Sequence, residues 1–143
     1  MGVCCWDRYD EDVLVDYRGA DVNVANFLRV LTGRHHPGVP GSKRLETSSA
    51  SNILIYMSGH GGDGFIKFQD YEELSAPDLA DAFTEMHGKG RYNEILFIAD
   101  TCQAASLGSH VTAPNVLTIG SSLVGQNSYA HHTDREVCTH TSG

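Results

Sequence analysis

The sequence predicts an α/β fold with a mostly parallel sheet flanked by helices. Three observations carry this expectation. Residues 52–57, 94–100 and 115–120 are short, continuous apolar runs, not alternating ones, a pattern that suits strands buried on both faces. The stretches before and between them carry apolar residues at helical spacing. The order strand, helix, strand, short helix, strand is the alternation of an α/β chain, in which right-handed crossovers make neighbouring strands parallel.

Each element has its own local reason. Residues 1–16 are acidic and irregular before the short apolar piece Val13, Leu14 and Val15. Asp21 can cap a helix over residues 22–31, where Ala25 and Leu28, and Phe27 and Leu31, share a face. Gly33 marks its stop. Residues 35–51 hold Pro37, Gly38, Pro40 and Gly41 and read as a loop. The first apolar run ends in Ser58, Gly59, His60, Gly61 and Gly62, and residues 65–68 read as a short strand, one half of a hairpin. Ser75 caps a second helix with Leu79, Phe83 and Met86 on one face and Ala82 beside them, and Gly88 closes it. The second run leads straight into Thr101, Cys102 and Gln103, and the third ends in Ser121 and Ser122. From Gln126 the chain turns polar and His-rich, so the organisation expected is a core over residues 1–128 and a disordered tail over 129–143.

Composition narrows the classes of function. A length of 143 residues suits one domain with a real core. A net charge of −8 argues against a nucleic-acid partner and against an anionic membrane surface. No run of 18 apolar residues exists, and acidic Asp7 comes too early for a signal peptide. Trp6 stands where a myristoylation signal needs Ser or Thr. Cys4, Cys5, Cys102 and Cys138 are too sparse for a disulfide scaffold and lack metal-ligand spacing, and counting them does not fix a redox compartment. His35, His36, His131, His132 and His140 are not spaced as zinc ligands either.

The chemistry is expected at one sheet edge. In open parallel sheets, ligands bind beyond the carboxyl ends of the strands. Three loops leave those ends here, with His60, with Cys102, and with Ser121 and Ser122. A cysteine after a buried strand is often only a small core residue, and a loop histidine is often only a turn residue. Their convergence at one edge favours a nucleophile with its base. The imidazole can take the thiol proton and later give it to a leaving amine. A helix beginning just after Cys102 would favour the thiolate. Gly61 and the Cys102 backbone amide are candidate oxyanion donors.

The blocks Asp16-Tyr17-Arg18-Gly19, Val24-Ala25-Asn26-Phe27-Leu28-Arg29, Ser58-Gly59-His60-Gly61-Gly62 and Asp100-Thr101-Cys102-Gln103-Ala104 resemble the GPI-anchor transamidase branch of the caspase-like cysteine peptidases, the group that includes legumain. The resemblance runs from about Asp12 to Ser128. It implies a caspase-like fold, with Cys102 attacking the anchor-attachment residue of precursor proteins that carry a C-terminal GPI signal. A thioester would follow, and the ethanolamine amine of a GPI lipid would resolve it. It implies other transamidase subunits as partners and a place in the endoplasmic reticulum membrane complex, on its lumenal face. It sets Asp100 and Ser122 against the substrate. It requires no cofactor for the chemistry, but implies a structural calcium to which Asp16 would contribute, with Leu14 where a second acid is usual. Relatives have a first strand and helix and an upstream site residue not found in this chain, so the fold is expected to be incomplete on its N-terminal side, with an open sheet edge. Two other outcomes stay open: a legumain-like asparaginyl endopeptidase using water as acceptor, and a chain that only binds complex partners.

Overall fold

The computed structural model describes residues 14–129. In chain order these form α1 (Val24–Thr32), β1 (Asn52–Ser58), β2 (Gly61–Gly62), β3 (Phe65–Phe68), β4 (Glu72–Ser75), α2 (Ala76–Gly88), β5 (Glu94–Asp100) and β6 (Val116–Gly120), with 3-10 turns at Gly19–Asp21, Gly41–Lys43 and Ala104–Gly108. Residues 16–128 make one unit; the other unit, residues 1–15 with 129–143, lies almost wholly outside the described residues, and with it most of the expected tail.

The three apolar runs become a parallel sheet in the order β1-β5-β6. Ser58 lies opposite Asp100 and Ala99 opposite Gly120. This is the mixed α/β architecture expected. The short strand β3 pairs antiparallel with both β2 and β4, giving a second, small sheet. Sequence reading missed β4, because Glu72 and Glu73 are residue types depleted in strands.

Helix boundaries follow local chemistry. The N-cap of α1 is Asn23, not Asp21, because Asn23 Oδ1 accepts the Asn26 amide at 2.8 Å, while Asp21 sits in the preceding 3-10 turn. Gly33 closes α1 in the left-handed conformation at φ 70°. The carbonyls at that end are taken by cations from the turn after α2. Arg91 donates to Leu31 O at 2.8 Å and Lys89 Nζ to Thr32 O at 2.9 Å. Ser75 caps α2 through the Asp78 amide, and Leu79, Phe83 and Met86 are fully buried, as their spacing predicts. Phe83 meets Phe97 of β5 edge-on, ring centroids 5.9 Å apart. The core thus lies between the helices and one face of the sheet.

The other face corrects an expectation. Leu54, Tyr56, Leu117 and Ile119 are 65, 60, 62 and 47% exposed. The strands were expected to be buried on both sides, but among the described residues only one side is covered.

Candidate active site

Strand register brings the two loops together. Because Ser58 pairs with Asp100, His60 and Cys102 each lie two residues past matched strand ends. The Gly59 amide continues the ladder to Asp100 O at 3.3 Å, and the Ser121 amide bonds Ala99 O at 3.0 Å. His60, Cys102 and Ser121 therefore leave one edge of one sheet, as expected from parallel topology.

His60 is exposed, and its carbonyl accepts the Lys67 amide at 2.8 Å, which ties the loop to β3. That bond leaves Gly61, opposite Ile66, in a non-hydrogen-bonded position of the β2–β3 ladder, with its N–H directed away from β3. A Cβ at Gly61 would lie 2.5 Å from Thr101 Oγ1 and 2.7 Å from Phe65 O. The residue beside Cys102 thus packs directly on the residue beside His60. Thr101 is 2% exposed, and its hydroxyl has no hydrogen-bond partner among the described residues.

Cys102 is a half-buried free thiol whose Sγ lies 3.7 Å from Ser128 O, to which it can donate. Gln103 follows it in the left-handed conformation, φ 54° and ψ 31°, uncommon for a residue with a Cβ. The chain after β6 folds back over this turn. Gln126 O accepts the Gln103 amide at 2.8 Å, and Gln103 Oε1 accepts the Gly125 amide at 3.0 Å. Ser122 is buried. Its hydroxyl donates to Thr101 O at 2.7 Å and accepts the Ala104 amide at 3.1 Å, and its carbonyl accepts the Ala105 amide at 3.0 Å.

These bonds correct one expectation. The helix expected just after Cys102 is a five-residue 3-10 turn, Ala104–Gly108. The amides of Gln103, Ala104 and Ala105 are already taken by Gln126 and Ser122, so they do not offer a free positive end to the thiol. Gln126 and Ser128, at the end of the core expected over residues 1–128, hold the turn and face the thiol.

Asp100 gathers hydroxyls. Tyr56 Oη and Ser128 Oγ each lie 3.2 Å from its carboxylate oxygens. Hydrogen bonding from Ser121, then from Ser128 and Tyr56, holds its pKa below the ordinary carboxylate value against the opposing effect of burial. Ser106 forms a second link between the loops. Its hydroxyl accepts the Gly64 amide at 2.8 Å and lies 2.6 Å from Gln103 O. Reading the sequence missed Ser106, Gln126 and Ser128. Each acts through a chain crossing that no local pattern announces.

Asp16 is exposed, and among the described residues no three His, Cys, Asp or Glu side chains converge on a common point. No helix of the described residues is long and apolar enough to cross a membrane.

The model of the peptidase C13 family matches residues 6–141. The chain is 59% identical over 131 residues to the GPI-anchor transamidase of Schizosaccharomyces pombe, covering 92% of this chain and 34% of that protein. It is 55% identical over 132 residues to the Homo sapiens GPI-anchor transamidase, covering 92% and 33%. Against the Saccharomyces cerevisiae GPI-anchor transamidase it is 54% identical over 131 residues, covering 92% and 32%. The chain spans about a third of the length of these relatives. The match over nearly all of this sequence, joined to the parallel sheet that carries His60 and Cys102 to one edge, means that the chain belongs to the peptidase C13 family.

Proposed function

We propose that this chain carries the acyl-transfer site of a GPI-anchor transamidase. One observation carries the reading: the pairing of Ser58 with Asp100 puts His60 and Cys102 just beyond adjacent strand ends. His60 takes the Cys102 proton, and the thiolate attacks the carbonyl of the attachment residue in a precursor protein. The tetrahedral oxyanion is held by the Gly61 and Cys102 amides. His60 then gives the proton to the departing amine of the C-terminal signal, leaving a thioester on Cys102. The ethanolamine amine of a GPI lipid attacks that thioester, gives up its proton to His60, and the amide forms as Cys102 is released. Each step uses side chains and amides of this chain.

Asp100 lies two residues before the nucleophile, with its carboxylate held ionised by hydroxyls, and recognises the attachment residue. The Ser122 hydroxyl is already engaged by backbone, so Asp100 carries that recognition. Identity with three transamidases supports an amine rather than water as acceptor. Other transamidase subunits as partners, and the lumenal face of the endoplasmic reticulum membrane, go with this reading.

The test uses the full-length protein in its complex, a precursor with a GPI signal, and hydrazine as surrogate amine. Hydrazide formation with release of the signal peptide is expected. Cys102→Ala should make none, and His60→Ala should lose at least about 10²-fold in rate with an unchanged melting temperature, since His60 is exposed. Free acid as the only product would point to a hydrolase instead, and product formation independent of Cys102 would end the proposal.

A further inference from the structure

We propose that Ser122 is a positioning residue that holds the nucleophile turn; this rests on the reading of Cys102 as the nucleophile. One hydroxyl spans the turn from both sides, donating to Thr101 O just before Cys102 and accepting the Ala104 amide just after Gln103. The Ser122 carbonyl adds a third bond, to the Ala105 amide.

The turn needs such a hold. Gln103 stands in the left-handed region without being glycine, a conformation that persists only where its surroundings enforce it. The direction of the Cys102 side chain follows the backbone torsions between Thr101 and Gln103, which the Ser122 hydroxyl brackets. Only a hydroxyl can donate to a carbonyl and accept from an amide at one atom in so small a space. Ser122 is 7% exposed, so water does not readily replace it. Removing the hydroxyl leaves a buried carbonyl and a buried amide without their partner. The turn can recover those bonds only by moving, and a misplacement of about 1 Å at a reacting group can cost about 10²-fold in rate.

The position also explains why β6 ends where it does. A Cβ at Gly120 would lie 2.6 Å from the Ala105 nitrogen. The strand thus comes close enough to the turn for the second residue beyond it to reach across. Ser122 acts on the reaction through Cys102 and touches no substrate.

The experiment compares Ser122→Ala, Ser122→Thr and Ser122→Cys in the full-length complex with the precursor and hydrazine. Ser122→Ala should lower kcat by about 10- to 100-fold with KM little changed, while iodoacetamide still alkylates Cys102. Ser122→Thr should restore most of kcat, and Ser122→Cys, a weak donor and acceptor, should not. A rise in KM at unchanged kcat would make Ser122 a substrate-binding residue and overturn the proposal, as would an unchanged kcat in Ser122→Ala. If Ser122→Ala does not fold, the Thr and Cys variants decide, and equal activity in both overturns it. Cys102→Ala in the same assay keeps the two readings separate: activity without Cys102 would refute the nucleophile itself, whatever the Ser122 variants do.

Discussion

Asp100 shows how a single residue's surroundings translate into a measurable pH dependence. Its folded pKa is depressed by hydroxyls from Ser121, Ser128 and Tyr56. A carboxylate with a lowered folded pKa stabilises the fold above its unfolded value, about 3.9, and that contribution is lost as pH falls through the lower folded value. Unfolding stability measured against pH should therefore drop more steeply below about pH 4 in the wild type than in Asp100→Asn. Parallel curves would show that the hydroxyl cluster does not favour the ionised form. At this scale Cys102 and His60 were legible because small residues and strand ends bracket them. Ser106, Gln126 and Ser128 were not, because a hydroxyl or a carbonyl becomes meaningful only when a distant segment arrives beside it.

The elements meet tightly where β2 crosses the loop that carries Cys102. Gly61→Ala would drive a Cβ to 2.5 Å from Thr101 Oγ1 and 2.7 Å from Phe65 O, backbone that cannot simply rotate away. A destabilisation of about 1–3 kcal/mol is expected, read as a fall in melting temperature together with lost transfer activity. Gly88→Ala is the contrast. Its Cβ meets nothing within 4 Å and it lies in α2, so it should be neutral or stabilise by about 0.4–1 kcal/mol. Strands and helices were legible from apolar spacing, as the buried Leu79, Phe83 and Met86 attest. Their ends were less so: Asn23 and Asp21 are both good caps, and which one serves depends on the 3-10 turn before α1.

At the largest scale, the described sheet is covered unequally. One face of the sheet packs on the helices, while Leu54, Tyr56, Leu117 and Ile119 form an apolar patch on the other, and β1 and β6 are edges of the described sheet. Patches of this kind favour association. Residues 14–129 produced alone should self-associate with rising concentration in sedimentation velocity, and Leu54→Lys with Leu117→Lys should reduce it without altering far-ultraviolet circular dichroism. A monomer at every concentration would show the patch is not sticky. Parallel order was legible from strand–helix alternation, but the uncovered side was not. A continuous apolar run says that a strand wants two covered faces, not that both coverings lie within reach.

The order β1-β5-β6 across the sheet is also the order along the chain, and so an order in time. During synthesis His60 leaves the ribosome first, Cys102 next, and Ser122 only after β6. At usual elongation speeds the last interval is on the order of seconds. For that interval a nascent chain would hold His60 and Cys102 but not the Ser122 hydroxyl that spans the turn around Cys102. The turn that follows Cys102 would thus reach its bonded form only once β6 and the two residues after it had been made.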